Sequence, residues 1–164
     1  MKMNQVEKKK CELVEKLGIF LEKKEQLAPV AARIFSHIIL TGKQGTTFED
    51  LVSGLCASKS TISTHLNHLQ GLKQVSYFTK TGDRKKYFIL NSDTMLKGIS
   101  NMVEEWEGEK ELHIEVKEYK EDINKTLKEE DKIDLGFHDS FIEFLDGAIT
   151  SVTKLKEKII NHKH

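Results

Sequence analysis

The stretch from residue 58 to 70, SKSTISTHLNHLQ, places small hydrogen-bonding side chains on one face of a predicted helix. Ile62, Leu66 and Leu69 recur at spacings of four and three, which predicts a single apolar side. The polar residues that fall on the opposite side are Ser60, Thr61, Thr64, Asn67 and His68. Short hydroxyl, amide and imidazole groups can bond both phosphates and base edges, so this face is suited to selective contact with DNA.

Positive charge is concentrated in the same part of the chain. Residues 28–90 carry eight basic and three acidic groups, whereas residues 91–164 carry eleven and eighteen. Lys59 stands at the start of the predicted helix, where unpaired backbone N–H groups also favour phosphate. Three further cations follow a Gly-Asp turn in KTGDRKKYF, namely Arg84, Lys85 and Lys86. These cations predict phosphate contacts beside the polar helix.

The neighbouring segments predict the elements that position these groups. A helix over about residues 4–24 precedes PVAARIFSHIIL, where Pro29 suits a first helical turn. In TTFEDL, Thr47 can cap a short third helix with Asp50 three residues on. Ser58 caps the fourth helix and Gly71 is placed to end it. VSYFT and KKYFIL then predict a β-hairpin, because they are rich in aromatic and β-branched residues.

Two long helices complete the predicted order, the first opening at Ser92 and the second carrying an apolar seam at spacings of four and three. The order predicts a mainly α fold, a winged helix-turn-helix with a small β-hairpin wing and long N- and C-terminal dimerisation helices. We divide the chain into a dimerisation helix over 1–27, a DNA-binding domain over 28–91 and a helical dimerisation region over 92–164.

The terminal helices carry more apolar surface than one small domain can cover, which predicts a homodimer. The expected dimerisation residues are Leu13, Leu17, Phe141, Leu145, Val152, Leu155 and Ile159. Two-fold symmetry would place two reading helices roughly 34 Å apart, in successive major grooves of a pseudopalindromic operator in double-stranded DNA. An effector that changes the dimer geometry would then release the DNA.

Three stretches together resemble the MarR-type winged-helix regulators, most closely the branch named for the glycine-betaine-synthesis repressor. They are PVAARIFSHIIL, TTFEDLVSGLCASKSTISTHLNHLQ and VSYFTKTGDRKKYFIL, within about residues 25–92. The resemblance implies a homodimeric bacterial transcription regulator, often a repressor, with Ser60, Thr61 and Thr64 on the reading helix and Arg84 on the wing. The chain departs from the family in two places. LQGLKQVSY lacks the glycine that the family commonly has just before the first wing strand, and the acidic segment EEWEGEKELHIEVKEYKED gives no clear match to a known effector pocket.

The sequence gives weaker support for a metal site or a reactive cysteine. His65 and His68 lie one helical turn apart, but no third ligand accompanies them, so we predict no metal and interpret His68 as a DNA contact. Cys11 and Cys56 form no CxxC, and each is either a redox sensor or a small buried hydrophobe. We expect the second, with both thiols reduced in the cytoplasm.

Aromatic residues of the C-terminal helices offer a further alternative. Trp106, Tyr119 and the phenylalanines of the last helix could enclose a quaternary ammonium such as choline, which the resemblance suggests, or could be core and dimer interface.

The sequence offers little basis for catalysis or membrane insertion. Because GxSxG, a phosphate loop and HExxH are absent, we expect no enzyme and no cofactor. No apolar run approaches 18 residues, so we expect a cytoplasmic protein without a membrane partner. The rival function is a winged-helix protein-interaction module without direct DNA readout, in which the polar helix is merely exposed to solvent.

Overall fold

The computed structural model describes residues 4–161. Six α-helices and one hairpin follow one another along the chain. They are α1 (Gln5–Lys24), α2 (Pro29–Thr41), α3 (Phe48–Leu55), α4 (Lys59–Gly71), β1 (Val75–Thr79), β2 (Lys86–Leu90), α5 (Ser92–Asn124) and α6 (Gly136–Asn161), with short 3-10 turns over Gly42–Gln44 and Glu129–Asp131. The predicted fold class, a winged helix-turn-helix with a hairpin wing and long terminal helices, is confirmed.

The helices begin where side chains bond the free backbone groups. Thr47 accepts from the backbone N–H of Asp50, and the Asp50 carboxylate accepts from the N–H of Thr47 at 3.0 Å, which forms a capping box. Hydrogen bonds from the Thr47 hydroxyl and N–H hold the pKa of Asp50 below its usual value. Ser58 caps α4 and Pro29 occupies the first turn of α2, as predicted.

The core of the first unit, residues 4–94, surrounds α2. Ile34 and Ile38 of α2 are fully buried, as are Leu51 of α3 and both Ile62 and Leu69 of α4. Burying side chains of this size contributes roughly 1.5–3 kcal/mol each, so the apolar side of α4 fixes its orientation in the unit. α1 also packs on this core through Leu17 and Leu21.

The hairpin is anchored to the same unit by a third extended segment. β1 and β2 are antiparallel, with Tyr77 paired to Phe88. Thr46 exchanges two backbone hydrogen bonds with Phe88, at 3.0 and 2.8 Å. Gly45 precedes it at φ +72°, and a Cβ there would lie 2.8 Å from the Tyr87 Cβ. A glycine is therefore required where this segment approaches β2.

The second unit, residues 95–161, is a helical hairpin of α5 and α6. Lys110 pairs with Asp146 at 2.7 Å and Lys117 with Asp139 at 2.6 Å, a register that makes the two helices antiparallel. Within the described part of this unit, only His138 and Leu145 are buried. The hairpin therefore buries little apolar surface by itself.

One expectation about the cysteines is wrong. Cys11 and Cys56 are both exposed free thiols and not small buried hydrophobes. Cys11 lies on the same side of α1 as the buried residues Val14 and Gly18 but is itself exposed near the start of the helix. Cys56 ends α3 in the left-handed conformation, at φ +49°, so it belongs to the turn before α4.

Candidate nucleic-acid interface

α4 separates an apolar inner side from a polar outer side. Ile62, Leu66 and Leu69 are at most 3% exposed. The residues exposed on the outer side are Lys59, Ser60, Thr64, Asn67 and His68, while Thr61 is half-buried. The structure therefore brings five of the eight predicted DNA-binding residues, from Lys59 to His68, onto one helix.

The hydroxyls at the start of α4 are partly engaged within the chain. The Ser58 hydroxyl lies 3.0 Å from that of Ser60 and 2.8 Å from that of Thr61. The Thr64 hydroxyl donates to the Ser60 carbonyl at 3.0 Å. Because a hydroxyl has one donor and two acceptor sites, Thr64 is left as an acceptor in this conformation. These contacts arrange the hydroxyls before any partner arrives.

Asn67 is an exposed residue that the sequence reasoning placed on the outer face but did not select as a contact. It follows Ser60 and Thr64 at spacings of four and three, so it lies in the same row of the helix. An amide can bond adenine through two hydrogen bonds, which neither hydroxyl can do. The helical spacing alone was sufficient to select it.

The wing begins with a tight turn that one carboxylate holds together. The backbone N–H of Asp83 donates to the Lys80 carbonyl at 3.0 Å. The Asp83 carboxylate accepts from the Lys85 N–H at 2.9 Å and from the Tyr87 hydroxyl at 2.6 Å. The Tyr87 hydrogen bond, with that of Lys85, lowers the pKa of Asp83, and the same bond raises the pKa of Tyr87.

Some basic side chains of the wing lie over an aromatic ring, whereas Arg84 contacts no partner among the described residues. The Lys86 ammonium lies 4.2 Å from the centroid of the Tyr77 ring, and the Lys80 ammonium lies 3.8 Å from that of Tyr87. Arg84 is exposed and makes no hydrogen bond or ion pair with any residue from 4 to 161. Lys80 is a wing cation that the sequence reasoning missed, although it directly precedes the Thr-Gly-Asp turn.

The first unit also contains a cavity of about 430 Å³ between α1, α2 and the turn before α4. Both cysteines line it, together with Lys10, Arg33 and His37. His37 is 8% exposed and its Nδ1 has no hydrogen-bond partner among the described residues. Burial, with the nearby charge of Lys10, lowers its pKa to about 4, so the imidazole is neutral at pH 7.

The sequence also raised the questions of a metal site, an aromatic enclosure and a membrane span. In residues 4–161 no group of three His, Cys, Asp or Glu side chains could hold a metal ion. Phe137 and Phe141 stack at 5.6 Å, but within this range no ring contact joins Trp106 or Tyr119 to them. The direct ring contact in this region is thus between phenylalanines of α6, and the aromatic enclosure stays an expectation from the sequence. None of the described helices is both long and apolar enough to cross a membrane.

The predicted dimerisation residues have unequal exposure. Leu155 is 51% exposed and Leu13 is 36% exposed. Leu145 is buried inside the α5–α6 hairpin, and Leu17 packs on the core of its own unit. The remaining three are partly buried, namely Phe141, Val152 and Ile159. Leu13 and Leu155 therefore have the most surface left for another chain.

Solved structures resemble this chain to different degrees. A transcriptional regulator known from its crystal structure superposes with a TM-score of 0.50 at 18% identity, over 93% of this chain and 99% of that one. A mutant of MepR from S. aureus matches with a TM-score of 0.39 at 14% identity, over 92% and 99% of the two chains. No protein-family model and no curated protein matches the chain. The first of these similarities establishes a shared fold.

Proposed function

We propose that this protein is a sequence-specific DNA-binding transcription regulator of the MarR type, in the branch named for the glycine-betaine-synthesis repressor, and that it represses as a homodimer in the cytoplasm. It acts by binding and not by catalysis. The observation that carries the proposal is the outer side of α4. The side chains of Lys59, Asn67 and His68 are exposed there and make no hydrogen bond or ion pair inside residues 4–161, while the opposite side is buried.

The contacts divide by chemistry. Asn67, His68 and the hydroxyls of Ser60, Thr61 and Thr64 would read base edges in the major groove. Lys59, Arg84 and Lys85 would bind phosphates on either side, and Lys86 would do so from its position over Tyr77. Phosphate contacts give affinity and register, whereas the polar row gives sequence preference.

The dimer would arise from the terminal helices. The α5–α6 hairpin leaves Phe137, Phe144 and Leu155 at least half exposed, which favours burial against a second copy. Two reading helices about 34 Å apart would then meet two half-sites of a pseudopalindromic operator. A small-molecule effector would release DNA by favouring another dimer geometry, and the 430 Å³ cavity beside the turn before α4 offers it room.

The direct test is selection of bound fragments from the source genome, followed by titration of the recovered fragment with purified protein. We expect one or a few promoter sequences, and an affinity that falls steeply as salt is raised. Recovery of no enriched fragment would contradict the proposal.

Arg84→Ala supplies the matched comparison, because Arg84 makes no contact within the described chain whose loss would affect folding. The loss of one phosphate contact should weaken binding and lower the salt slope by roughly one. Lys128→Ala removes the same charge from an exposed site in the second unit and should leave binding unchanged. Equal binding by wild type and Arg84→Ala would favour the protein-interaction module.

A further inference from the structure

Three side chains of the second unit form a continuous link between α5 and α6. His138 Nε2 lies 2.9 Å from the ammonium nitrogen of Lys120, and His138 Nδ1 lies 3.0 Å from His113 Nδ1. His138 belongs to the first turn of α6 and is 8% exposed, while both partners belong to α5. Each ring nitrogen of a buried histidine is thus engaged by the opposite helix.

Only one arrangement of protons satisfies both contacts. The Lys120 ammonium has no lone pair and must donate, so His138 Nε2 accepts and carries no proton. Neutral His138 therefore carries its proton on Nδ1 and donates it to His113 Nδ1. His113 must accept at that nitrogen and keep its own proton on Nε2. A second proton on His138 would place its Nε2–H against the Lys120 ammonium, so that two donors would face each other.

The charged groups around His138 act in opposite directions. Lys120 faces it from α5, whereas Asp139 adjoins it on α6 and is paired with Lys117 of α5 at 2.6 Å. The N-terminal end of a helix also disfavours a positive charge. Burial, together with Lys120 and His113, lowers the pKa of His138, and Asp139 opposes them. The balance favours the neutral imidazole.

The link lies where the hairpin has little other core. His138 and Leu145 are the only buried residues in the described part of this unit. The His113 ring lies 4.6 Å from the Phe141 centroid and 6.0 Å from that of Phe137. Separation of His138 from α5 would therefore also break the contact between His113 and these rings.

We propose that His113, His138 and Lys120 form an acid-sensitive lock on the α5–α6 hairpin, which holds the first turn of α6 on α5 while His138 is neutral and releases it when His138 gains a proton. A histidine whose pKa is lowered by folding stabilises fully above its ordinary pKa of 6.5 and loses that contribution as the pH falls below it. Each pH unit below 6.5 favours the open hairpin by up to about tenfold.

The first experiment reads the protons directly in the full-length protein. Nitrogen-15 NMR of the histidine rings at pH 7.5 should show His138 protonated on Nδ1 and His113 protonated on Nε2. A proton on His138 Nε2 at this pH would overturn the proposal, because the Lys120 contact could not then form. This measurement needs no variant and does not depend on DNA binding, so it separates the lock from the proposed regulator function.

The second experiment measures opening by amide hydrogen exchange of residues 136–141, corrected for the intrinsic pH dependence of exchange. Opening should increase by up to about fivefold between pH 6.5 and 5.5 in the wild type, because half of the released imidazole is already protonated at pH 6.5. His138→Gln can still accept from Lys120 and donate to His113 but cannot titrate, so its opening should not depend on pH.

Two further variants serve as a second test and as a control. Lys120→Met removes the cation that opposes protonation of His138 and should reduce the rise even if His138→Gln fails to fold. His68→Gln changes an exposed histidine of α4 and should retain the full rise. An undiminished rise in Lys120→Met, or any rise in His138→Gln, would assign the acid effect to other groups and overturn the proposal.

Discussion

The Tyr87 hydroxyl donates a 2.6 Å hydrogen bond to the Asp83 carboxylate across the base of the wing turn. The same carboxylate accepts from the Lys85 N–H, so one side chain connects the turn, the segment after it and β2. This connection fixes the backbone on both sides of Arg84, whose own side chain is unrestrained. The wing thus has a hydrogen-bonded turn and an exposed cation, Arg84, whose side chain makes no hydrogen bond or ion pair with residues 4–161.

Tyr87→Phe tests this connection because it removes the hydroxyl and keeps the ring that stacks on Phe78 at 5.6 Å. The pKa of Asp83 should rise toward its ordinary value of 3.8, since its main stabilising hydrogen bond is lost. Carbon-13 NMR titration of the carboxyl group measures this shift. DNA affinity should fall while the far-UV spectrum is unchanged. An unaltered Asp83 titration would show that the hydrogen bond does not persist in solution.

Gly45→Ala should destabilise the first unit more than Gly42→Ala. Both glycines have positive φ, +72° and +67°, in a region that costs other residues roughly 1–3 kcal/mol. Only at Gly45 would the new methyl group collide, with the Tyr87 Cβ at 2.8 Å, whereas nothing lies within 4 Å at Gly42. Urea unfolding of the two variants measures the difference. Equal losses would mean that Gly45 is needed only for its backbone conformation.

His37 should make the first unit sensitive to acid. Its pKa falls from 6.5 in the unfolded chain to about 4 in the fold, so the unfolded state binds the proton more readily. The free energy of unfolding should therefore be constant above pH 6.5 and decline below it, by about 3 kcal/mol at pH 4. Urea unfolding of His37→Phe and wild type at several pH values isolates this contribution, because other histidines cancel in the difference. A difference independent of pH would refute the predicted pKa.

Local sequence signals were sufficient for most of the fold. The capping pairs at Thr47 and Ser58, the proline at the start of α2 and the change of apolar spacing after Gly71 each have a local physical cause, and the corresponding helix and strand boundaries are confirmed. The third extended segment was missed because a single residue, Thr46, pairs with β2 and shows no periodicity. The link between His113 and His138 was missed because 25 residues separate them.

The candidate site was predictable in part, because some of its residues follow a local helical spacing. One helix carries Ser60, Thr64 and His68, so spacing alone placed them on one side. The hydrogen bonds among the Ser58, Ser60 and Thr61 hydroxyls depend on rotamers, which spacing does not determine. Cys56 itself adopts a left-handed conformation at the end of α3, for which a cysteine gives no sequence signal.

The exposed and buried leucines of α6 separate dimerisation from folding. Leu155 is 51% exposed, so Leu155→Glu should leave the hairpin folded but place a charge in the proposed dimer interface. Leu145 is 1% exposed, and Leu145→Ala should lower the free energy of unfolding by about 2–5 kcal/mol in any oligomeric state. Sedimentation equilibrium should find a dimer for wild type and a shift toward monomer for Leu155→Glu, with unchanged helical content by circular dichroism. A dimer of undiminished stability in Leu155→Glu would exclude this part of α6 from the interface, because burying an unpaired glutamate between two subunits is unfavourable.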